Sequence, residues 1–248
     1  MTFVRRAFLA TAVASATLAL SVGALAWTAE TVKGDGKIVR EARTVAAFDA
    51  VSLAGPFELK VRQSGTQRVE LEADSNLLPL VETRIVEGSK GKTLEIQVKK
   101  GYSVYAKQPL RIEVDMASLR GISIAGSGKA EVDAVKTEKV HFNVAGSGSI
   151  NAPKMDAAEL KLNVAGSGDL RVGGKATEVE VSIAGSGEVR AAALAGDEVK
   201  VSIAGSGDAE VQANKKLKVS IAGSGDVRYT GSAEPSTSIA GSGNVKRL

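Results

Sequence analysis

Chemistry in this chain has few residues to draw on. There is one histidine, His141, and no cysteine. That composition rules out a zinc–thiolate site, a cysteine nucleophile, a disulfide and any metal site built from several imidazoles. A Ser–His–Asp triad would have to use His141. The chain's serines, however, recur as interchangeable copies, and His141 holds an outward slot filled by Lys161, Lys200 and Lys218 in other copies of a repeat. A solvated surface histidine fits that slot better than a catalytic one. Asp169, Glu188, Asp208 and Asp226 each directly follow a glycine. Calcium-binding β-rolls need a nine-residue G-G-x-G-x-D-x-U-x unit, whereas the period here is about twice that, so a solvated acidic edge is expected. AGSGKAEV (125–132) imitates a phosphate loop. Both nucleotide fingerprints, G-x-x-x-x-G-K-[ST] and G-x-G-x-x-G, require a following helix, and this stretch runs into a strand pattern. One segment stands apart. KKGYSVYAK (99–107) interleaves Lys99, Lys100 and Lys107 with Tyr102 and Tyr105. Amphipathic rings beside cations suit a glycan or an anionic surface. The plainer account is a loop between the strand-like TLEIQV and PLRIEV, its tyrosines packed on a cap. The expectation is therefore no catalytic residue, no metal and no cofactor, with this segment as the candidate ligand contact.

The elements that would position such a contact announce themselves by repetition. IAGSG or VAGSG begins at Ile124, Val144, Val164, Ile183, Ile203, Ile221 and Ile239, spaced 18 to 20 residues apart, a period typical of a solenoid. Two residues before these anchors stand Ile122, Phe142, Leu162, Val181, Val201 and Val219, with polar residues between. That alternation of period two predicts strands with one buried face. After the second glycine it resumes with Ile150, Leu170, Val189, Val227 and Val245. Each unit reads as strand, Gly-Ser-Gly corner, strand and looser return. The corner glycines are Gly126 and Gly128, Gly146 and Gly148, Gly166 and Gly168, Gly185 and Gly187, Gly205 and Gly207, Gly223 and Gly225, and Gly241 and Gly243. Glycine admits a sharp bend and keeps the corner thin where coils stack about 4.8 Å apart. Immediately before each anchor comes Ser or Asn, from Ser123 to Ser238, predicting an outward ladder of small hydrogen-bonding side chains. Seven coils would extend about 30 Å.

Aromatic residues make up only 4% of 248 residues, which suits a thin core of aliphatic side chains rather than a broad one. Residues 1–26, with Arg5 and Arg6 before an apolar run closing on Ala24-Leu25-Ala26, read as a signal peptide. VRRAFLA is similar to a twin-arginine export signal, and an uncleaved anchor is the second reading, since the run approaches the roughly 20 residues that span a bilayer. No membrane span is expected after cleavage. The formal net charge of +4 is too weak, and too evenly spread, to argue for nucleic acid.

Residues 27–46 read as a loose leader, and 47–248 as one solenoid domain with irregular coils over 47–118 and regular ones over 119–248. FDAVSLAGPFELKV (48–61) looks like a degenerate coil in which Pro56 replaces the corner serine, and SNLLPLV (75–81) breaks the alternation with what reads as one helical turn. The N-terminal coils are expected to cap the core. No cap is visible after the last corner, and an exposed strand edge tends to pair, so cover by another subunit or by the N-terminal segment is expected there.

The exported leader, the FDAVSLAGPFELKV opening, the DSNLLPLVET segment and the serial AGSG corners together resemble the bacterial "putative auto-transporter adhesin, head GIN domain" family, over roughly residues 45–245. The resemblance implies an all-β fold, a right-handed parallel β-helix similar to the pectin-lyase superfamily, with Gly-Ser-Gly at the turn between sheets. It carries over no catalytic residues and implies adhesion by analogy of fold. The expected function is an exported, non-enzymatic β-solenoid, periplasmic or at the cell surface. It would act as an adhesin or envelope scaffold whose partner is a surface glycan or an envelope protein. The alternatives are a carbohydrate-active β-helix enzyme, which could work with carboxylates alone, and a periplasmic scaffold for a protein partner.

Overall fold

The alternating pattern produces a stack of parallel strands that winds as a β-solenoid. The computed structural model describes residues 29–89 and 91–248; the signal-peptide reading of 1–26 lies outside them. Long strands run up to successive corners: Val135–Gly146, which starts in a return, and Ser149–Gly166, Asp169–Gly185, Glu188–Gly205 and Asp208–Gly223, which each span from one corner to the next. Each pairs in parallel with the strand one repeat later, anchor on anchor, so Val144, Val164, Ile183, Ile203 and Ile221 form one column. The alternation decides what is inside. Phe142, Leu162, Val181, Val201 and Val219 are at most 1% exposed, while the intervening residues face outward.

The unequal repeat lengths are absorbed away from the corners. Register shifts fall between Ala152 and Met155, Arg171 and Gly173, and Ala191 and Ala195, all in the returns. Before the corners the pairing stays strict. The backbone ladder even continues through the bend: Ser147, Ser167 and Ser186 donate their N–H groups to Gly126, Gly146 and Gly166 carbonyl oxygens, each at 2.9 Å. Buried polar backbone is thereby satisfied from coil to coil.

At the N-terminal end the order of stacking departs from the order of the chain. Gly121–Gly126 pairs in parallel with Ala50–Ala54, which pairs on its other edge with Gly91–Val98. The second sheet repeats this, with Lys129–Val132 on Phe57–Gln63 and that on Leu110–Met116. The outermost coil is thus built from residues 91–116, and the segment that precedes it in sequence lies inside it. Asp49, on the inner coil, accepts a hydrogen bond from Arg120 Nη2 at 2.8 Å, which helps fasten the chain where it jumps between coils. The degenerate coil carries its echo in register, with Ser52 opposite Ser123 and Leu53 opposite Ile124.

Antiparallel strands close that end. Arg68–Asp74 pairs with Leu110–Met116 on one side and Ile38–Ala42 on the other, and Val81–Gly88 folds back on Gly91–Val98. The break at SNLLPLV is a single 3-10 turn, Leu78–Leu80. Within 27–46, expected to be loose, Glu30–Lys33 and Ile38–Ala42 are strands, paired with Tyr102–Tyr105 and Arg68–Asp74. This correction has a local cause in DSN (74–76). Asp74, 2% exposed, accepts the Gly36 N–H at 2.6 Å. Ser75 donates to the Asp35 carboxylate at 2.5 Å, and Asn76 donates to the Lys33 carbonyl at 2.8 Å. Replacing Asp74 by alanine should leave the coils folded while amide exchange across residues 34–42 speeds up about tenfold or more; unchanged exchange would show that the carboxylate does not hold the segment.

The described part of the N-terminal segment, residues 29–46, therefore lies at the capped end, away from the last coil. Among the described residues the outer edges of Pro235–Gly241 and Asn244–Arg247 pair with nothing further, and Ile239 is 42% exposed there.

Candidate functional site

The outward residues of successive coils stack into columns, and the columns differ in chemistry. Next to the anchors runs the small polar ladder. Asn143 Nδ2 donates to Ser123 Oγ at 3.1 Å, and Asn163 Nδ2 to Asn143 Oδ1 at 2.8 Å. Two residues earlier in each coil stands a charged column of His141, Lys161, Glu180, Lys200, Lys218 and Ser236. Beside it runs a second, Lys139, Glu159, Glu178, Glu198 and Lys216. From Glu159 and Lys161 onward, the two columns and the return segments near Ser232 and Glu234 border an open groove of about 850 Å³ lying along the solenoid axis.

Ion pairs link the two columns in a zigzag that enters the groove at Glu159. Lys139 Nζ lies 2.8 Å from Glu159, Lys161 lies 3.3 Å from Glu159 and 3.0 Å from Glu180, and Lys200 lies 3.3 Å from Glu180. One coil on, Lys216 pairs with Glu198 and Lys215 with Asp197, each at 2.8 Å. Hydrogen bonds from Lys161 and then Lys200 hold the Glu180 carboxyl below its ordinary pKa, and those from Lys139 and then Lys161 do the same for Glu159. A carboxyl that binds its proton more weakly in the fold than in the unfolded chain adds stability above the ordinary carboxylate range, and that stability is lost as pH falls through the folded value. The melting temperature should therefore drop by a few degrees from about pH 6 to about pH 3. Because the pairs are exposed, salt should flatten the dependence. A Glu180→Gln variant with the same pH profile as the parent would remove the ladder as its cause.

The tyrosine-and-lysine segment occupies the corner position of the outermost coil, as an enlarged turn between Gly91–Val98 and Leu110–Met116. Tyr102–Tyr105 forms a two-stranded parallel ribbon with Glu30–Lys33. Tyr102 and Tyr105 fall on opposite faces of that ribbon, because side chains alternate along a strand and Val104, between them, packs on the core. Lys99 and Lys100 are exposed at the start of the turn, where the Lys99 N–H donates to the Leu80 carbonyl at 2.8 Å. Tyr105 and Lys107 come together, bordering a hollow of about 350 Å³ with Glu58, Ser127 and Lys129. The fold thus divides the segment and adds Lys129 to one half of it.

His141 is half-buried rather than solvated. A Cβ on Gly121, its partner in the next coil, would fall 2.3 Å from the imidazole Nε2, so the ring lies over the space that glycine leaves open. The row of acids after the corners also has a structural use. Asp208 and Asp226 accept the N–H groups of Asp226 and Asn244, at 3.0 and 3.1 Å, each tying one coil to the next. No cluster of three or more His, Cys, Asp or Glu with metal-holding geometry occurs among the described residues, and no helix among them is long and apolar enough to cross a membrane.

Sequence reasoning picked out the segment at 99–107 and passed over the groove. The signal for the groove was present in the alternation of Lys and Glu at equivalent repeat positions, but it reads as ordinary solvated charge until the coils are stacked.

A family model described as "Putative auto-transporter adhesin, head GIN domain" matches residues 47–233. No curated protein matches the chain. Among solved structures, the chain is similar to a putative adhesin from Bacteroides fragilis, at 22% identity and a TM-score of 0.82, covering 88% of this chain and 100% of that one. It is similar to a putative lipid binding protein from Parabacteroides distasonis at 26% identity and 0.71, with 88% and 100% covered. It is also similar to a putative adhesin from Parabacteroides merdae at 26% identity and 0.68, with 89% and 100% covered.

Proposed function

We propose, from the premise that the chain belongs to the "Putative auto-transporter adhesin, head GIN domain" family, that it is an exported, non-enzymatic binding protein of the cell envelope or surface, with the grooved face of its solenoid as the binding surface. The observation that carries this reading is the register of the outward columns. A charged side chain, Lys or Glu, recurs at each coil along the groove from residue 159 to residue 218, which suits an extended partner held through many weak contacts repeated from coil to coil. The two solved neighbours described as adhesins support the reading by fold and name.

The groove does gather carboxylates and cations, as a carbohydrate-cleaving β-helix would. A general acid for glycosidic cleavage must keep its proton near the working pH, and Glu159 and Glu180 are pushed the other way by their lysines. That direction favours recognition over chemistry.

Protease treatment of intact cells, followed by detection of the protein, tests the placement. Loss of the protein from intact cells is the expected result and supports adhesion. Protection until the envelope is opened would overturn adhesion in favour of a periplasmic scaffold.

A further inference from the structure

Along the groove the charged column alternates in sign as far as Lys200 and then fails to alternate. Lys161, Glu180 and Lys200 form an unbroken relay in which each acid lies between two lysines. The next coil sets Lys218 directly in register with Lys200, where alternation would call for an acid. Lys218 makes no ion pair among the described residues, and the position after it is Ser236. Lys216 stands two residues from Lys218 on the same outward side of the strand, already engaged by Glu198. Glu234, at the groove margin, makes no ion pair with any of them. Two like charges in adjacent rungs repel; Glu180 answers Lys200, and no carboxylate among the described residues pairs with Lys218.

We propose that this break is an anion subsite: Lys200 and Lys218, with the Ser236 hydroxyl beside them, hold an acidic group of an anionic polysaccharide that lies along the groove. The inference deepens the binding reading above and rests on it. The charge complementarity is local to the Lys218 rung: the groove's other lysines, Lys161, Lys200, Lys215 and Lys216, already meet acids. The polysaccharide class follows from the lining. Val179, Val199 and Leu217 form the apolar part of the floor but are only 3%, 4% and 2% exposed, so an acyl chain would find little surface to cover. The strands that carry Lys200 and Lys218 are paired on both edges, so an acidic peptide could not add as a further strand beside either lysine. A chain rich in hydroxyls, with acid groups at intervals, matches what is presented.

The test measures binding of the full chain to polygalacturonate at low salt, and to the same polymer with its carboxylates methyl-esterified. The expected result is binding of the acid form, about tenfold weaker binding of the ester, and about tenfold weaker binding of the acid form by Lys218→Glu. Lys218→Glu restores the alternation, so its melting temperature should not fall below that of the parent; Lys218→Ser serves as a second variant if it does. Lys154→Glu, which changes an exposed lysine outside the groove, should bind as the parent does. Equal binding of acid and ester would overturn the anion subsite while leaving a glycan-binding face in place, and so would full binding by both Lys218 variants. Binding of poly-glutamate or phosphatidylglycerol vesicles through Lys218, in preference to the polysaccharide, would overturn the ligand class. No binding to either polymer would overturn the inference, and the protease result on cells would still decide the broader reading separately.

Discussion

Gly185→Ala should destabilise the solenoid by about 3 kcal/mol or more, one of the two largest losses expected of a single substitution here. Two costs combine. Gly185 has φ +121, outside the range that residues with a Cβ ordinarily adopt. Its added Cβ would also lie 2.5 Å from the carbonyl oxygen of Gly166, and that oxygen already accepts the Ser186 N–H at 2.9 Å. The obstruction is backbone in the neighbouring coil, so no side-chain rotation relieves it. Companion substitutions separate the costs. Gly187 carries no positive φ, but its Cβ would fall 2.6 Å from the Gly168 oxygen and 2.4 Å from Val164 Cγ1, leaving the clash alone. Gly36 has φ +82 with nothing within 4 Å, leaving the conformational cost alone, about 1 to 2 kcal/mol. Ser186→Ala, at an exposed position, should cost a few tenths of a kcal/mol. Denaturant midpoints for the four variants give the comparison. A Gly185→Ala protein that unfolds with the parent would mean that the corner can rearrange freely.

Phe142→Ala should cost about 3 to 5 kcal/mol. Phe142 is fully buried and lies in register between Ile122 and Leu162. It is the one aromatic ring in a column that is otherwise aliphatic from Ile122 to Val219. A solenoid core is only as wide as one coil, so each side chain packs chiefly on its own coil and on the coils above and below, and few other groups can close the space it leaves. The substitution also weakens one interface between neighbouring repeats, and stability in such arrays is close to a sum of nearest-neighbour terms. The unfolding curve should therefore broaden or split, with the regular coils beyond residue 149 outlasting the capped end. Circular dichroism gives the total loss, and hydrogen exchange across the two halves shows the split. A single sharp transition near the parent midpoint would contradict both expectations.

The two substitutions act on features that differ in how plainly the sequence displays them. The buried column through Phe142 follows from period-two alternation and needs no structure to locate it. The corner glycines also repeat openly, yet the reasons for the two glycines of each corner are distinct. The first needs a positive φ, and the second needs the absence of a Cβ beside the preceding coil's carbonyl. Which is which depends on backbone angles that a string of letters does not carry.

Residues 119–248 were legible because every coil repeats one pattern and adjacent coils pair at an offset of 18 to 20 residues. Local alternation then specifies burial, strand direction and the stacking partner together. The first half lacks that regularity. FDAVSLAGPFELKV, TLEIQV and PLRIEV all read as strands, but alternation does not say which strand lies on which. The nested order, with residues 50–63 between 91–116 and 121–132, was settled by which pairings close the stack and which antiparallel strands can cap it. The segment at 30–42 reads as loose for the same reason: its strand partners are 28 to 72 residues away, and the contacts that fix it run through the Asp74, Ser75 and Asn76 side chains.

The candidate site divides along this line. The sequence by itself determined the solenoid, its buried columns, the positions of its corners and the polar character of its outward residues, because each of these depends on the period of the chain. Only the tertiary structure decided that Lys161, Glu180 and Lys200 form a relay, that Lys218 falls beside Lys200 with no acid to answer it, that His141 lies over Gly121, and that Tyr102 and Tyr105 turn away from each other. These are relations between coils and across a ribbon. Coulomb and hydrogen-bond energies act over a few ångströms, and residues about 20 apart in the chain come within that range only when the coils stack.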